Sequence, residues 1–155
     1  MLLPPDVAKQ RIRYISLHSE AVKLPEEKSS MERIKILIVD DQKSVRQSLG
    51  TILGLIDDFE VLGEAFDGNE GIRLAAELSP DVVLMDMSMS ELGGIEATRG
   101  IKDKNPGVGV VMLTMHGSDN ARQRAFASGA DEFVEKGIPM DDLADTIRRV
   151  HRSKE

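Results

Sequence analysis

The chain has 155 residues, 41% hydrophobic and 30% charged, which is the composition of a globular domain able to bury one sizeable core. A formal net charge of −7 argues against direct nucleic-acid binding and suits cation or protein partners, while the absence of cysteine excludes disulfides and thiolate metal sites and fits a reducing, cytoplasmic setting. No apolar run reaches membrane-spanning length, and Met1-Leu2-Leu3-Pro4-Pro5-Asp6 lacks the basic start and long apolar core of a signal peptide.

Residues 1–30 stand apart. Pro4-Pro5, Pro25-Glu26-Glu27-Lys28 and Ser29-Ser30 are loop composition, and Ala8, Ile12, Ile15, Ser19 and Val22 form only an interrupted helical stripe. This segment reads as an N-terminal extension, either flexible or a short helix. Met31 begins a cleaner domain that runs over 31–155.

From Ile34 onward strand and helix patterns alternate. Ile36-Leu37-Ile38-Val39 is an apolar strand ending in Asp40-Asp41, and Ser44 to Leu55 follows as a helix, with Val45, Leu49, Ile52, Leu53 and Ile56 expected inward. Glu60 to Ala65 is a mixed strand, and Asn69 to Leu78 a helix stopped by Ser79-Pro80. Val82-Val83-Leu84-Met85 runs into Asp86 as a third strand buried on both faces. Its helix, Ile95 to Lys104, ends at Asn105-Pro106-Gly107. Val108 to Leu113 leads to Thr114, and Ser118 to Ala127 is closed by Ser128-Gly129, where glycine suits a left-handed cap. Asp131 to Lys136 is a short fifth strand, and Asp141 to about His151 the last helix.

Such alternation means a doubly wound parallel sheet, a flavodoxin-like (βα)5 single domain. The first, third and fourth strands are nearly all apolar and belong in the middle. The second and fifth carry alternate charges, as edges can. With right-handed crossovers the order 2-1-3-4-5 follows, and its switch point lies between strands one and three.

The residues at the carboxyl ends of the strands then meet in one crevice: Asp40, Asp41, Asp86, Thr114 and Lys136. Asp67-Gly68, at the end of the edge strand, stays outside it. Each residue alone has a bland reading, the aspartates as caps or turn residues, Thr114 as a β-former, Lys136 as a solvated lysine. Together, however, the crowded carboxylates call for a cation. Oxygen ligands without His or Cys favour a hard ion such as Mg²⁺, which keeps waters and leaves room for a phosphoryl group. Asp86 is then placed as a nucleophile, with Lys136 to pair the phosphoryl oxygens and Thr114 to donate a hydrogen bond.

Ile38-Val39-Asp40-Asp41, Leu84-Met85-Asp86-Met87-Ser88-Met89 followed by Gly94, Leu113-Thr114 and Val134-Glu135-Lys136 together resemble the receiver domain of two-component response regulators. The resemblance runs from about Ile34 to the end. It implies phosphorylation of Asp86 by the phosphohistidine of a sensor histidine kinase or phosphotransfer protein. It also implies Mg²⁺ held by Asp41, Asp86 and the Ser88 carbonyl, with Asp40 acting through water. Thr114 would swing toward the phosphoryl group, and Phe133 would follow inward as the aromatic switch. The chain would be a phosphoacceptor that promotes its own phosphorylation and dephosphorylation rather than an enzyme.

Ser90 and Gly137 stand where the family often has proline, and Phe133 lacks the hydroxyl of the more usual tyrosine. His116 is expected at the rim, and Met85 and Met112 in the core. Residues 137–143 resemble receivers that precede a helix-turn-helix output domain, yet only Arg152-Ser153-Lys154-Glu155 follow the last helix. The expectation is therefore a stand-alone receiver or the receiver part of a transcription regulator. Its switching face would be the fourth helix, fifth strand and fifth helix, a surface compatible with a phosphorylation-dependent homodimer. A receiver-like interaction module without phosphorylation is the alternative, although such variants usually lose an acid or the lysine. A flavin or nucleotide enzyme would need a phosphate cradle where Asp40-Asp41-Gln42-Lys43-Ser44 presents carboxylates.

Overall fold

The computed structural model describes residues 32–155 in full and, before them, the backbone of residues 13–17 and 20–24. The chain divides into two compact units, Met1–Arg33 and Ile34–Glu155. In the first, β1 (Arg13–Leu17) and β2 (Glu20–Leu24) pair antiparallel, Arg13 opposite Leu24 and Leu17 opposite Glu20. The helical stripe expected through Ile15 and Val22 is therefore not what this backbone forms. Tyr14, Ile15 and Val22 are β-favouring types, and in so thin a stripe that preference outweighs the helical spacing. Pro4-Pro5, residues 25–30 and Met31 lie outside the described residues.

The second unit runs β3 (Ile34–Val39), α1 (Lys43–Gly54), β4 (Phe59–Ala65), α2 (Gly68–Leu78), β5 (Val82–Asp86), α3 (Gly94–Lys104), β6 (Gly109–Thr114), α4 (Asp119–Ala127), β7 (Glu132–Glu135) and α5 (Met140–Ser153). Its five-stranded sheet is parallel in the order β4-β3-β5-β6-β7, which is 2-1-3-4-5 counted within the unit. The charged strands β4 and β7 are the edges.

Alternation along each central strand sends residues to two cores. Ile36, Ile38, Leu84, Val111 and Leu113 meet Leu53 of α1 and Leu143, Ile147 and Val150 of α5 on one face. Leu37, Val39, Val83, Met85, Val110 and Met112 meet Ala75 of α2, Ala97 and Ile101 of α3 and Ala125 of α4 on the other. Each fully buried Leu, Ile or Met here contributes roughly 2 kcal/mol. Helix ends are fixed locally. The Asp67 carboxylate accepts from the Glu70 N–H at 2.8 Å to start α2, and the Ser118 hydroxyl accepts from the Ala121 N–H at 3.0 Å to start α4. Gly129 closes the turn after α4 at φ +105°, where a side chain would be strained.

One inward residue was placed wrongly by its spacing. Ile52 is 41% exposed. With Val45 and Leu49 it lines an apolar groove of about 380 Å³ between α1 and the start of α5, because the apolar stripe of α1 is wider than the strip that touches the sheet. Among the described residues no helix is long and apolar enough to cross a membrane.

Candidate functional site

β3 and β5 lie side by side, Val39 opposite Met85, so Asp40, the residue after β3, and Asp86, the last residue of β5, leave the sheet together. Chain reversal at this point means no crossover covers the crevice. Asp86 extends the β5–β6 ladder opposite Leu113, and one residue later the Met87 N–H donates to the Leu113 carbonyl at 2.8 Å. Helix α3 starts directly above. A Cβ on Gly94 would collide with the Asp86 carbonyl oxygen, so glycine permits this close approach.

Carboxylate oxygens of Asp40, Asp41 and Asp86 all lie within 4.8 Å of one another. Asp40 and Asp86 are buried, 1% and 4% exposed, whereas Asp41 is more open to solvent. Lys136, at the end of β7, reaches both buried acids, its Nζ 2.8 Å from Asp40 Oδ2 and 3.2 Å from Asp86 Oδ1. The Lys136 backbone N–H donates to the Thr114 carbonyl at 2.7 Å, which sets where the lysine leaves the sheet. Backbone donors complete the arrangement. The N–H of Gln42 reaches Asp40 Oδ1 at 2.9 Å, that of Ser88 reaches Asp86 Oδ1 at 3.2 Å, and that of Ser90 reaches Asp41 Oδ2 at 3.1 Å.

One ammonium among these acids leaves an excess of negative charge. Burial pushes the Asp86 carboxyl above its ordinary range, and the Asp40 charge adds to this, partly offset by Lys136 and the Ser88 N–H. Lys136 moves the opposite way to what burial alone would do. Its hydrogen bond to Asp40 and the charges of Asp86 and Asp40 hold its proton more tightly. The donor set is hard, oxygen-only and anionic beyond what one lysine neutralises, so it fits a divalent cation such as Mg²⁺. A cleft of about 560 Å³ opens over Asp86, lined by Gln42, Met87, Ser88, Thr114, His116 and Arg124 among others.

The structure thus brings Asp40, Asp41, Asp86 and Lys136 together. Ser88 sits exposed above Asp86 and contributes its N–H; Thr114 borders the cleft with its hydroxyl turned elsewhere. Thr114 Oγ1 donates to the His116 carbonyl at 3.1 Å and accepts from the His116 N–H at 3.2 Å. Phe133 is 8% exposed and already packed in the core on the α2–α4 face. His116 is exposed at the cleft, Met85 and Met112 are fully buried, and Met115 is exposed. Sequence reasoning missed Arg46, whose Nη1 donates to the Asp40 carbonyl at 2.7 Å and whose Nε lies 3.5 Å from Glu64 Oε1. Spacing within α1 marks Arg46 only as polar; its reach across to β4 is a tertiary fact.

A parallel sheet with an acidic cluster and a lysine at its switch point is the architecture of a signalling receiver. The profile of the response regulator receiver domain matches residues 36–148. The response regulator protein VraR of Staphylococcus saprophyticus is 39% identical over 121 residues, covering 78% of this chain and 58% of the relative. A two-component response regulator of the LuxR family from Aurantimonas sp. superposes with a TM-score of 0.75 at 31% identity, over 78% of this chain and 86% of that one. The response regulator domain of Thermotoga maritima CheB does so with a TM-score of 0.71 at 34% identity, over 77% and 97%. The chain belongs to the response regulator receiver domain family of two-component systems, and it spans about 58% of the length of the VraR relatives.

Proposed function

We propose that this receiver accepts a phosphoryl group on Asp86 from the phosphohistidine of a sensor histidine kinase or phosphotransfer protein, using Mg²⁺. The supporting observation is that Asp86 lies within reach of two further carboxylates and 3.2 Å from the Lys136 ammonium. In the transfer, an Asp86 carboxylate oxygen forms a bond to phosphorus as the phosphorus–nitrogen bond breaks. The histidine takes up a proton and leaves as neutral imidazole. Asp41 and Asp86, with the Ser88 carbonyl, would hold the ion directly and Asp40 through water. When bound, the ion offsets charge on the carboxylates and on the incoming phosphoryl oxygens.

Lys136 keeps its positive charge beside these acids and can turn from Asp86 to a phosphoryl oxygen with a short movement. Thr114 is the switch: its hydroxyl would leave the His116 backbone for the phosphoryl group, and Phe133 would adjust beside it. That movement would reshape the face made by α4, β7 and α5, which meets a downstream output domain or protein and can pair two receivers. The chain catalyses nothing on a separate substrate but promotes its own phosphorylation and dephosphorylation, in the cytoplasm. A DNA-binding response regulator of the LuxR family from Staphylococcus aureus shares this fold at 27% identity, which supports a receiver that works through a DNA-binding output domain in transcription regulation.

Incubating the full chain with Mg²⁺ and a small acyl phosphate should add the mass of one phosphoryl group, with no gain in Asp86→Asn. No gain in the intact wild-type chain would sink the reading.

A further inference from the structure

The β3–β4 ladder ends at Val39 opposite Ala65, so the Asp40 carbonyl lies beyond it and needs a donor from elsewhere. Arg46 supplies that donor at 2.7 Å. The carbonyl belongs to the peptide that joins Asp40 to Asp41, and a peptide is a rigid plane. Holding its oxygen therefore restrains rotation of the plane that links the two residues whose carboxylates face the site. Arg46 is itself held: its side chain is 14% exposed, and Nε faces Glu64 on β4 at 3.5 Å. A guanidinium presents separate edges to two partners at once, which an ammonium does not.

The charges have a consequence of their own. A lone cation beside three carboxylates would compete with a metal ion, but Glu64 offsets Arg46 locally. Arg46 can then orient the acids without weakening their attraction for a cation.

We propose that Arg46, anchored by Glu64, is a positioning residue that sets the divalent-cation affinity of the Asp40–Asp41–Asp86 cluster by locking the Asp40–Asp41 peptide. The inference rests on the cation reading given above. Locking and bare electrostatics demand opposite signs. If Arg46 acted only through its charge, removing it would tighten cation binding; if it locks the peptide, removing it loosens binding.

The test uses the full chain and Mn²⁺, followed by electron paramagnetic resonance of the free ion, with circular dichroism to establish folding at the assay temperature. Arg46→Met should weaken Mn²⁺ binding roughly tenfold, as loss of an outer partner of a metal ligand does. Arg46→Lys should recover part of the loss, and Glu64→Gln should weaken binding roughly two- to threefold. A folded Arg46→Met that binds Mn²⁺ as well as the wild type, or more tightly, overturns the inference. Should Arg46→Met not fold, Arg46→Lys decides, because it keeps the charge and loses the two-edged fork: binding weaker than wild type supports the lock, unchanged or tighter binding overturns it. A wild-type chain that binds no Mn²⁺ overturns the cation reading itself, whereas unchanged variants overturn the lock alone.

Discussion

At the end of the sheet where the strands begin, one aspartate lies among lysines; at the end where they finish, one lysine lies among aspartates. Asp131 Oδ2 is 2.8 Å from Lys102 Nζ and accepts the Val110 N–H at 2.8 Å, while its Oδ1 is 2.7 Å from Lys154 Nζ. Burial alone would raise the Asp131 carboxyl, but the hydrogen bonds from Lys102, Lys154 and Val110 outweigh it and hold it below its ordinary range. Asp86, with Asp40 beside it and Lys136 shared, is instead pushed up. The first cluster ties together α3, β6, β7 and the end of α5, and its acid has the ligands it needs. The second is short of positive charge, so it gains from an added cation. That shortage costs the metal-free fold some stability, and the function proposed for Asp86 depends on it.

Substitutions at the two ends should therefore differ in size, sign and response to Mg²⁺. Lys136→Met leaves two buried carboxylates facing each other and should cost about 3 kcal/mol in denaturant unfolding without divalent ions. Added Mg²⁺ should return part of that loss; no recovery would argue that the acids do not form a cation site. Asp131→Asn strands Lys102 and Lys154 and should cost about 2 kcal/mol by the same measurement, unchanged by Mg²⁺. A Mg²⁺-dependent cost there would erase the distinction between the ends.

Acid should reveal the same asymmetry. Because the Asp131 carboxyl is lowered by folding, its contribution is complete above the ordinary value of 3.8 and is lost as pH falls through the lower folded value. Urea titrations below pH 4 should show a shallower loss of stability with falling pH in Asp131→Asn than in the wild type. An equal slope in both would mean that Asp131 is not the group responsible. The smallest effect should be a gain. Asp86→Asn removes one like charge and can keep the Ser88 N–H contact, so it should stabilise the metal-free protein by about 1 kcal/mol.

Much of this was legible in the sequence because it depends on local rules. Apolar runs closed by Asp40, Asp86 and Thr114 marked the central strands and their carboxyl ends, and topology did the rest. Ser79-Pro80 and Ser128-Gly129 marked helix ends through backbone preference alone, the first with Ser79 in the left-handed region. What escaped depends on side chains meeting from distant segments. The Arg46–Glu64 contact, the Lys102–Asp131–Lys154 cluster and the Arg148–Asp58 pair at 2.8 Å join residues whose individual positions read only as polar. Helical periodicity also misplaced Ile52, since spacing gives the direction of a stripe and not the width of the surface that covers it. At 13–17 and 20–24 a weak helical spacing gave way to strand-favouring residue types.

The measurement that bears most directly on the charge shortage at the carboxyl ends is thermal unfolding of the full chain with and without Mg²⁺. The expected result is a rise in melting temperature for the wild type and Asp131→Asn, with little or none for Asp86→Asn. A wild type unmoved by Mg²⁺, or an Asp86→Asn variant that rises as much as the wild type, would contradict it.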